Sequence, residues 1–514
     1  MDELAALIGP ELVFGLIGPV GTDLGAVSRI LSDELARVRY KSLEVRVSSL
    51  LHELDLYQGL ANKNYASEYI RVKDHMDAGT DLRTRSDSGD VMALLAISKI
   101  AETRVEGQPD LFDHVALQRP LERTAFIIRS LKHPEEVDLL RRVYGRAFYL
   151  ISAYSPRQVR VHQLASKIAE SQDDPDSSRF RNEAEDLIQI DERENKKLGQ
   201  SVRDSFPLAD FFVDARAHEG LKKALGRFVR VLFNHPFETP TRDEFAMFHA
   251  YAAALRSADL GRQVGVAVTN SDASIIAVGC NEVPKFGGGV FWSGDEPDYR
   301  DFRKGYDSSV KFRRLLLAQA IERLRGAGWR PGDNSPEDAE SLIEDKVFAG
   351  TQLQNLLEFG RSVHAEMSAL SEAAHRGVSV EGGSMFTTTF PCHLCARHII
   401  SSGLKRVVYI EPYPKSLAQD LYDDMIDVDP DVRRSDKVSF EPFVGVAPSI
   451  YVEAFRAPER KKGDGTVVDW IDSKAEPKLK RYVPSYLLIE NIVLGRVLPQ
   501  KLRRAGVKAV TRQR

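Results

Sequence analysis

The feature that most constrains this chain is a pair of cysteines, Cys392 and Cys395, directly after Pro391. The residues before the pair predict a strand over Ser384–Phe390, and a helix is expected to begin at the first cysteine. Side chains at i and i+3 of a helical turn point the same way, so both thiolates can reach one metal ion. The unpaired N–H groups and positive dipole end of that turn favour the thiolate form that a metal requires.

A His-x-Glu sequence, His364-Ala365-Glu366, lies ahead of the cysteine pair. The residues between them predict a helix over His364–Arg376, closed by Gly377, and then the strand. This order returns Cys392 to the neighbourhood of His364, where His364, Cys392 and Cys395 can bind one metal ion. Glu366 then lies beside the metal, free to carry protons. The combination of H-x-E with P-C-x-x-C is the signature of the zinc deaminases.

Each half of this pattern has other interpretations. A second His-x-Glu, beginning at His133, has no cysteine near it, so that element alone carries little information. A lone C-x-x-C also occurs in thioredoxin-like redox centres and in structural zinc sites with four ligands. Cys280 is the only other cysteine in the sequence. The interval between the two elements favours a catalytic zinc site, with structural zinc and redox chemistry as alternatives.

Length, cysteine content and charge limit the class of protein. A chain of 514 residues is expected to hold two or more domains. Three cysteines, two of them assigned to metal, predict a reducing compartment without disulfides. The sequence has no apolar run of membrane-span length and no basic region at its start, so we expect a cytoplasmic protein without membrane contact. A net charge of −4 does not favour binding of nucleic acid.

The first half of the chain alternates strand and helix patterns, which predicts an α/β domain with a parallel sheet and helices on both faces. A buried strand over Val13–Gly18 precedes a glycine-rich turn and a helix from Asp23 to about Val38. The charged stretch Ser171–Lys197 is interpreted as an exposed helical pair or a mobile cover. Further strands are predicted at Ser42–Val47, Thr124–Ile128, Ala147–Ala153 and Ala209–Val213, and helices at Ala66–Met76, Val91–Thr103, Glu135–Val143 and Glu219–Phe233.

The turn after the first strand is similar to a phosphate-binding P-loop. The candidate nucleotide or phosphate ligands in this turn are Gly18, Gly21, Thr22 and Asp23. The match is incomplete, because Leu16 occupies the first glycine position of the motif and Thr22 occupies the lysine position. A glycine turn in a nucleotide-kinase-like fold without turnover is therefore an equally good interpretation.

Two prolines between His235 and Pro240 mark a domain boundary. We predict a first domain over residues 1–236, a second over 237–460 with an insertion at 285–360, and a C-terminal extension over 461–514. In the second domain we predict a helix at Thr241–Ala258 and strands at Val264–Thr269, Ser274–Cys280 and Val407–Ile410. The extension is expected to pack on the surface or on a neighbouring subunit.

From about Thr241 to Phe455 the chain resembles the deoxycytidylate deaminase family. The stretches that carry the resemblance are 257–265, Asn281–Pro284, His364–Glu366 and Pro391–Cys395. With the nucleotide-kinase-like domain in front, the chain resembles the bacterial two-domain deoxycytidine nucleotide deaminases of anti-phage defence. The resemblance implies an N-terminal P-loop kinase-like domain, a C-terminal αβα cytidine deaminase fold, and one catalytic Zn²⁺. It also implies hydrolytic deamination of dCTP and dCMP, which drains dCTP from the pool that phage DNA synthesis uses.

The resemblance further implies roles for particular residues and partners. His364, Cys392 and Cys395 would bind zinc, and Glu366 would carry protons. The implied substrate-binding residues are Asn281 at the sugar, Val264 and Gly265 at the base, Arg262 at a phosphate or simply at the surface, and Tyr413 and Lys415 at the base or phosphate. The insertion would close over a triphosphate or form a solvated excursion. The implied partners are further copies of the chain, as a dimer or hexamer, and a regulatory nucleotide or RNA at the first domain.

Three classes of function remain open from the sequence. The leading hypothesis is a deaminase of free deoxycytidine nucleotides, either in defence or as a housekeeping dCMP deaminase of thymidylate supply. The second is a cytosine deaminase acting on single-stranded DNA or RNA, which needs a basic groove with stacking aromatic residues, and the acidic net charge argues against it. The third is a nucleotide-sensing scaffold with structural zinc.

Overall fold

The computed structural model describes residues 9–61, 63–106, 120–192, 201–329, 341, 343, 351, 359–412, 416–478 and 485–507. The chain folds as two compact units. The first unit combines the described residues up to Thr241 with those from Val444 onward, and the second is Arg242–Phe443. The residues after Phe443 thus share the first unit, whereas the sequence suggested a second domain reaching 460 and a separate extension. In the described part of the chain, none of the helices has both the length and the apolarity that a bilayer span requires.

Each unit is built on a six-stranded sheet. In the first unit the order is β12-β5-β4-β1-β3-β2, with all neighbours parallel except the antiparallel pair of β12 and β5. In the second the order is β10-β11-β9-β8-β6-β7, parallel from β10 to β8 and antiparallel from β8 to β7. The strands are β1 (Leu12–Ile17), β2 (Lys41–Arg46), β3 (Thr124–Arg129), β4 (Phe148–Tyr154), β5 (Phe211–Asp214), β6 (Gly265–Thr269), β7 (Ile275–Cys280), β8 (Ser384–Thr389), β9 (Arg406–Glu411), β10 (Ile426–Val428), β11 (Val438–Pro442) and β12 (Gly445–Val446).

The helices of the first unit cover a sheet whose central strand is buried along its whole length. All six residues of β1 are buried, as expected of a parallel strand covered on both faces. Helices Leu24–Arg37 and His218–Leu232 bury leucine, valine and phenylalanine side chains against the sheet. The α-helices of this unit are Leu24–Arg37, Glu68–Ser86, Val91–Glu106, Pro134–Tyr144, Arg157–Ser171, Arg181–Glu192, Val202–Ser205, His218–Leu232, Tyr451–Phe455, Ser485–Ile492 and Leu498–Arg504. The mixed α/β fold class predicted from the alternating pattern is confirmed.

The charged stretch between Ser171 and Lys197 differs from the expectation of an exposed cover. Helix Arg181–Glu192 within it buries Ala184, Leu187 and Ile188 completely, in a cluster with helix Arg157–Ser171. These apolar residues recur at helical spacing inside a run dominated by charge, so the helix is amphipathic and its apolar face packs into the unit. The remaining residues of the stretch, 193–197, lie outside the described part of the chain.

The second unit packs two helices closely against its antiparallel strands. A Cβ on Gly279 of β7 would lie 2.4 Å from the carbonyl oxygen of Ala365, and one on Gly265 of β6 would lie 2.0 Å from that of Ala250. Only glycine allows helix backbone to approach a strand this closely. The helices of this unit are Arg242–Ala254, Asp301–Lys304, Ser308–Gly326, Ala365–His375, His393–Ser401 and Ala418–Leu421. Its predicted helices and strands are confirmed with shifts of a few residues at their ends.

Candidate metal centre

The three predicted metal ligands lie at the N-terminal ends of two helices. His364 is the N-cap residue of helix Ala365–His375, and Cys392 is the N-cap residue of helix His393–Ser401. Cys395 lies in the first turn of the second of these helices and is fully buried. Strand β8 leads into this turn through Pro391, as the sequence predicts. The positive ends of two helix dipoles therefore converge on the thiol pair and favour thiolates there.

The distances between the ligand atoms fit a tetrahedral zinc ion. His364 Nδ1 lies 3.3 Å from Cys392 Sγ and 3.3 Å from Cys395 Sγ, and the three ligand atoms lie within 4.8 Å of one another. Zn–S bonds of about 2.3 Å and a Zn–N bond of about 2.0 Å at tetrahedral angles separate ligand atoms by about 3.5 Å. One imidazole and two thiolates are also ligands that zinc prefers. The residues therefore form a candidate zinc site with three protein ligands, which leaves a fourth position for water or substrate.

The protonation states of the trio are tightly linked. A hydrogen bond from Cys395, helped by one from His364, lowers the pKa of Cys392 to about 4. The hydrogen bond to Cys392 raises the pKa of His364 to about 9. Without a cation, the trio thus holds a thiolate at Cys392 and an imidazolium at His364. Zinc binds thiolates and neutral imidazole, so metal binding is expected to release protons.

Glu366 occupies the position expected of a proton carrier. It is the second residue of helix Ala365–His375, it is 4% exposed, and its carboxyl group is hydrogen-bonded to the Cys395 thiol. Burial is the main cause that raises its pKa to about 7. A carboxyl group with that pKa exchanges protons readily near neutral pH, as general acid–base catalysis requires.

A cavity of about 310 Å³ opens onto this centre. His364, Glu366 and Cys392 lie along its wall, together with Val264 and Arg262 from the loop before β6. This volume lies in the usual range for a small-molecule site. Two of the three candidate metal ligands and the buried carboxyl group therefore line a space that can admit a small-molecule ligand.

Asn281 lines the cavity and also holds its wall in place. Its Oδ1 accepts a hydrogen bond of 2.7 Å from the N–H of Val264, and its Nδ2 donates one of 2.7 Å to the carbonyl of Arg262. One N–H and one lone pair of the amide are left for a ligand. The backbone of the loop 262–264 is therefore fixed by Asn281 before any substrate is bound.

Arg262 has a carboxylate partner of its own. It donates to Glu411 at 2.6 Å and to Thr389 Oγ1 at 3.0 Å, and its side chain is 46% exposed. Gly265, predicted to line the base pocket, does not line the cavity, and its missing side chain instead makes room for helix Arg242–Ala254. Tyr413 and Lys415 lie outside the described residues.

The structure adds cavity residues that the sequence interpretation did not identify. Asp301, Asp307 and Ser309 from the insertion line the cavity, and so does Arg361, three residues before His364. The insertion therefore forms part of the cavity wall. The nearness of Arg361 to His364 along the chain is the signal that would have identified it.

The glycine turn of the first unit contains an internal carboxylate. The N–H of Val20 donates to Asp191 Oδ2 at 2.7 Å, and Lys132 Nζ donates to Asp191 Oδ1 at 2.9 Å and to the carbonyl of Gly18 at 3.1 Å. Asp191 is completely buried. An amide that would face a phosphate in a P-loop is thus already paired with a side chain. Lys132 follows β3 and supplies the cation that the turn itself lacks.

The predicted phosphate ligands of the turn take part in local structure. Asp23 caps helix Leu24–Arg37 by accepting from the N–H of Ala26 at 2.9 Å. Gly21 has a φ of +89°, and a Cβ there would lie 2.8 Å from the carbonyl oxygen of Arg160. The Thr22 hydroxyl is buried without a hydrogen-bond partner among the described residues. The turn is therefore shaped mainly by internal contacts.

Comparison with known families places one match on the second unit. Residues 240–411 match the family model described as the cytidine and deoxycytidylate deaminase zinc-binding region. This range contains the candidate zinc ligands, Glu366 and the insertion, and all but its first two residues belong to the second unit.

Curated relatives give shorter matches. The chain is 46% identical over 54 residues to deoxycytidylate deaminase of Enterobacteria phage T2, which covers 10% of this chain and 29% of the relative. It is 32% identical over 90 residues to ComE operon protein 2 of Bacillus subtilis (strain 168), which covers 16% of this chain and 48% of the relative. Among solved structures, the apo form of dCMP deaminase from the cyanophage S-TIM5 aligns with 40% of this chain and 100% of its own, at 19% identity and a TM-score of 0.21. The chain thus spans less than half the length of either curated relative.

Proposed function

We propose that this protein is a zinc-dependent hydrolase that deaminates free deoxycytidine nucleotides, dCMP, dCTP or both. The reaction consumes water and yields the deoxyuridine nucleotide and ammonia. The observation that carries the proposal is the cluster of His364, Cys392 and Cys395, together with the cavity that His364, Cys392 and the buried Glu366 line. The match of residues 240–411 to a deaminase zinc-binding region and the similarity to deoxycytidylate deaminase of phage T2 support the same chemistry.

The chemistry requires a strong nucleophile and a mobile proton at neutral pH. Zn²⁺ held by His364, Cys392 and Cys395 would supply a Lewis acid that lowers the pKa of water towards ~7. Glu366 takes the proton of the attacking water and gives it to N3 of the cytosine ring. Once oxygen is bonded to C4, Glu366 takes the second water proton from the new hydroxyl group and delivers it to the C4 amine. The C4–N bond then breaks, ammonia leaves, and the C4 carbonyl of the uracil ring forms. The burial that raises the pKa of Glu366 to about 7 suits a group that must both accept and return a proton.

The cavity supports a free nucleotide as substrate over a polynucleotide. Besides Glu366, the cavity is lined by Asp259, Asp301 and Asp307 and by the arginines Arg262 and Arg361. A groove for single-stranded nucleic acid instead combines a continuous positive surface with stacking aromatic side chains. Among the described residues, two guanidinium groups line this cavity, and guanidinium groups are suited to binding the phosphate of a nucleotide.

We further infer that the first unit is a P-loop kinase-like regulatory unit and that the enzyme depletes dCTP during phage infection. The central position of β1, the glycine turn after it and the helix Leu24–Arg37 support the first inference. The second rests on the resemblance to two-domain defence deaminases. A cytoplasmic homo-oligomer, dimer or hexamer, and a regulatory nucleotide or RNA at the first unit belong to the same proposal. Light scattering of the purified protein would determine the oligomeric state.

The test of the activity is incubation of the purified, zinc-loaded protein with dCMP, dCTP and a cytosine-containing single-stranded oligonucleotide. We expect uracil in the free nucleotides and none in the oligonucleotide. Uracil in the oligonucleotide alone would contradict the proposal. Absence of any product would instead favour a nucleotide-sensing scaffold with structural zinc.

Two variants separate the chemical step from metal binding. Glu366→Ala should keep the zinc content of the wild type and lose about 10²–10⁴-fold in turnover, because it removes the proton carrier alone. Cys392→Ala should lose both zinc and turnover, because two protein ligands remain. Zinc content is measured by atomic emission and turnover by ammonia release. A Glu366→Ala variant with wild-type turnover would show that the proposed proton route is wrong.

The defence role has its own test. Bacteria that carry the wild type or Glu366→Ala are infected with phage, and nucleotide pools are measured by mass spectrometry. We expect dCTP to fall and phage yield to drop only with the wild type. Equal pools in the two strains would leave a housekeeping dCMP deaminase as the better account.

A further inference from the structure

We propose that Arg361 binds the phosphate of the substrate and that Asp301 of the insertion competes with that phosphate for the same guanidinium group. This inference rests on the proposed deamination of a free nucleotide. It assigns Arg361 to substrate positioning and gives the insertion a role in specificity. Arg361 is held in an ion pair with Asp301 and donates to the carbonyl of Tyr299 at 3.2 Å.

The position of Arg361 places it at the substrate and not on the outer surface. It lines the cavity that contains His364 and Glu366, and its side chain is 29% exposed. The backbone between it and the metal ligand is fixed, because Val363 exchanges two hydrogen bonds with Glu282, of 3.0 and 3.3 Å. The guanidinium is thus held at a defined distance from the candidate zinc centre.

The charge balance of the cavity explains why a phosphate can displace Asp301. Both guanidinium groups that line it are paired with an internal carboxylate, Arg361 with Asp301 and Arg262 with Glu411. A nucleotide phosphate brings two negative charges and a fork geometry that matches guanidinium N–H groups. A single partly exposed carboxylate offers a weaker interaction. Arg361 has further N–H donors beyond the two it uses here, so phosphate can bind first and the carboxylate can leave afterwards.

The ion pair connects substrate binding to the insertion. Asp301 is the first residue of helix Asp301–Lys304, and Asp307 and Ser309 at the start of helix Ser308–Gly326 also line the cavity. When the phosphate binds the Arg361 guanidinium group, the ion pair that joins Asp301 to the loop before His364 is broken. A phosphate-free nucleoside leaves that link in place. The arrangement therefore distinguishes a nucleotide from a nucleoside.

The test compares dCMP with deoxycytidine, which lacks the phosphate, in the full-length zinc-loaded enzyme. Arg361→Ala should raise KM for dCMP about ten- to a hundredfold, the effect of losing a charge-assisted hydrogen bond. It should leave kcat/KM for deoxycytidine close to that of the wild type. Asp301→Asn should do the opposite and lower KM for dCMP, because it removes the charged competitor of the phosphate. Zinc content and melting temperature are measured for every variant.

The matched control is Arg303→Ala. Arg303 lies in the same short helix as Asp301, is 62% exposed, contacts Asp298 at 3.5 Å and does not line the cavity. It should leave both substrates unaffected.

The outcomes separate the possible roles of the pair. If Arg361→Ala and Asp301→Asn impair dCMP and deoxycytidine equally, the pair is a structural clamp and the proposal is wrong. If Arg361→Ala leaves KM for dCMP unchanged, other residues bind the phosphate and the proposal is also wrong. If Arg361→Ala does not fold, the rise or fall of KM in Asp301→Asn still decides between competition and clamp. A wild type that converts neither substrate would contradict the proposed function itself, independently of these variants.

Discussion

Substitution of Gly279 by alanine tests whether close packing of a helix on β7 sets the geometry of the metal centre. The added Cβ would lie 2.4 Å from the carbonyl oxygen of Ala365 and 2.5 Å from the backbone nitrogen of Ala369. Both are backbone atoms of helix Ala365–His375, so no side chain can rotate to relieve the contact. Restoring an ordinary contact of about 3.4 Å requires the helix to move by about 1 Å.

The size of the effect follows from this displacement. Overpacking of this kind costs about 1–3 kcal/mol of stability, or about 2–12 °C in melting temperature for a unit of this size. The same helix carries Glu366 and begins at His364, so both move with it. A misplacement of about 1 Å at a reacting centre lowers turnover about a hundredfold. We therefore expect a modest loss of stability together with a large loss of activity.

The assay measures ammonia release from dCMP, zinc content and the melting temperature of the full-length protein. Gly326→Ala is the control, since its Cβ would meet nothing within 4 Å and it lies in the same unit. That variant should keep wild-type activity. If Gly279→Ala retained both wild-type turnover and wild-type melting temperature, the packing argument would be refuted.

Three further predictions concern buried charge, a buried thiol and the metal. Lys132→Ala should lower the free energy of unfolding by about 3–5 kcal/mol because it removes the cation paired with the buried Asp191. Lys63→Ala, from an exposed pair with Asp74, should leave the same urea titration close to that of the wild type. Burial raises the pKa of the Cys280 thiol, so iodoacetamide at pH 8 should modify Cys280 only after denaturation. The modification is detected by mass spectrometry, and rapid modification of Cys280 in the native protein would contradict the structure. A chelator should abolish deamination, and added Zn²⁺ should restore it; retained activity in a protein shown by atomic emission to be zinc-free would exclude the metal from the reaction.

The elements that sequence could predict are those governed by local geometry. The first sheet followed from alternating strand and helix patterns, and the metal trio followed from two cysteines one helical turn apart. The buried face of helix Arg181–Glu192 differs from the prediction, because the high charge of the stretch favoured an exposed position. The spacing of Ala184, Leu187 and Ile188 shows the buried face when periodicity is considered first.

The sequence by itself determined the candidate zinc ligands and the proton carrier, because a helical turn fixes the direction of side chains a few residues apart. Only the tertiary structure decided what surrounds them. Asp191 reaches the glycine turn, and Asp301 reaches Arg361, across long stretches of chain whose ends are brought together by packing of separate elements. No local pattern specifies such pairs, since they depend on how the helices and strands pack together. For the same reason, the sequence identified the candidate metal ligands and Arg262, but not Arg361 and the acidic residues of the insertion that line the same cavity.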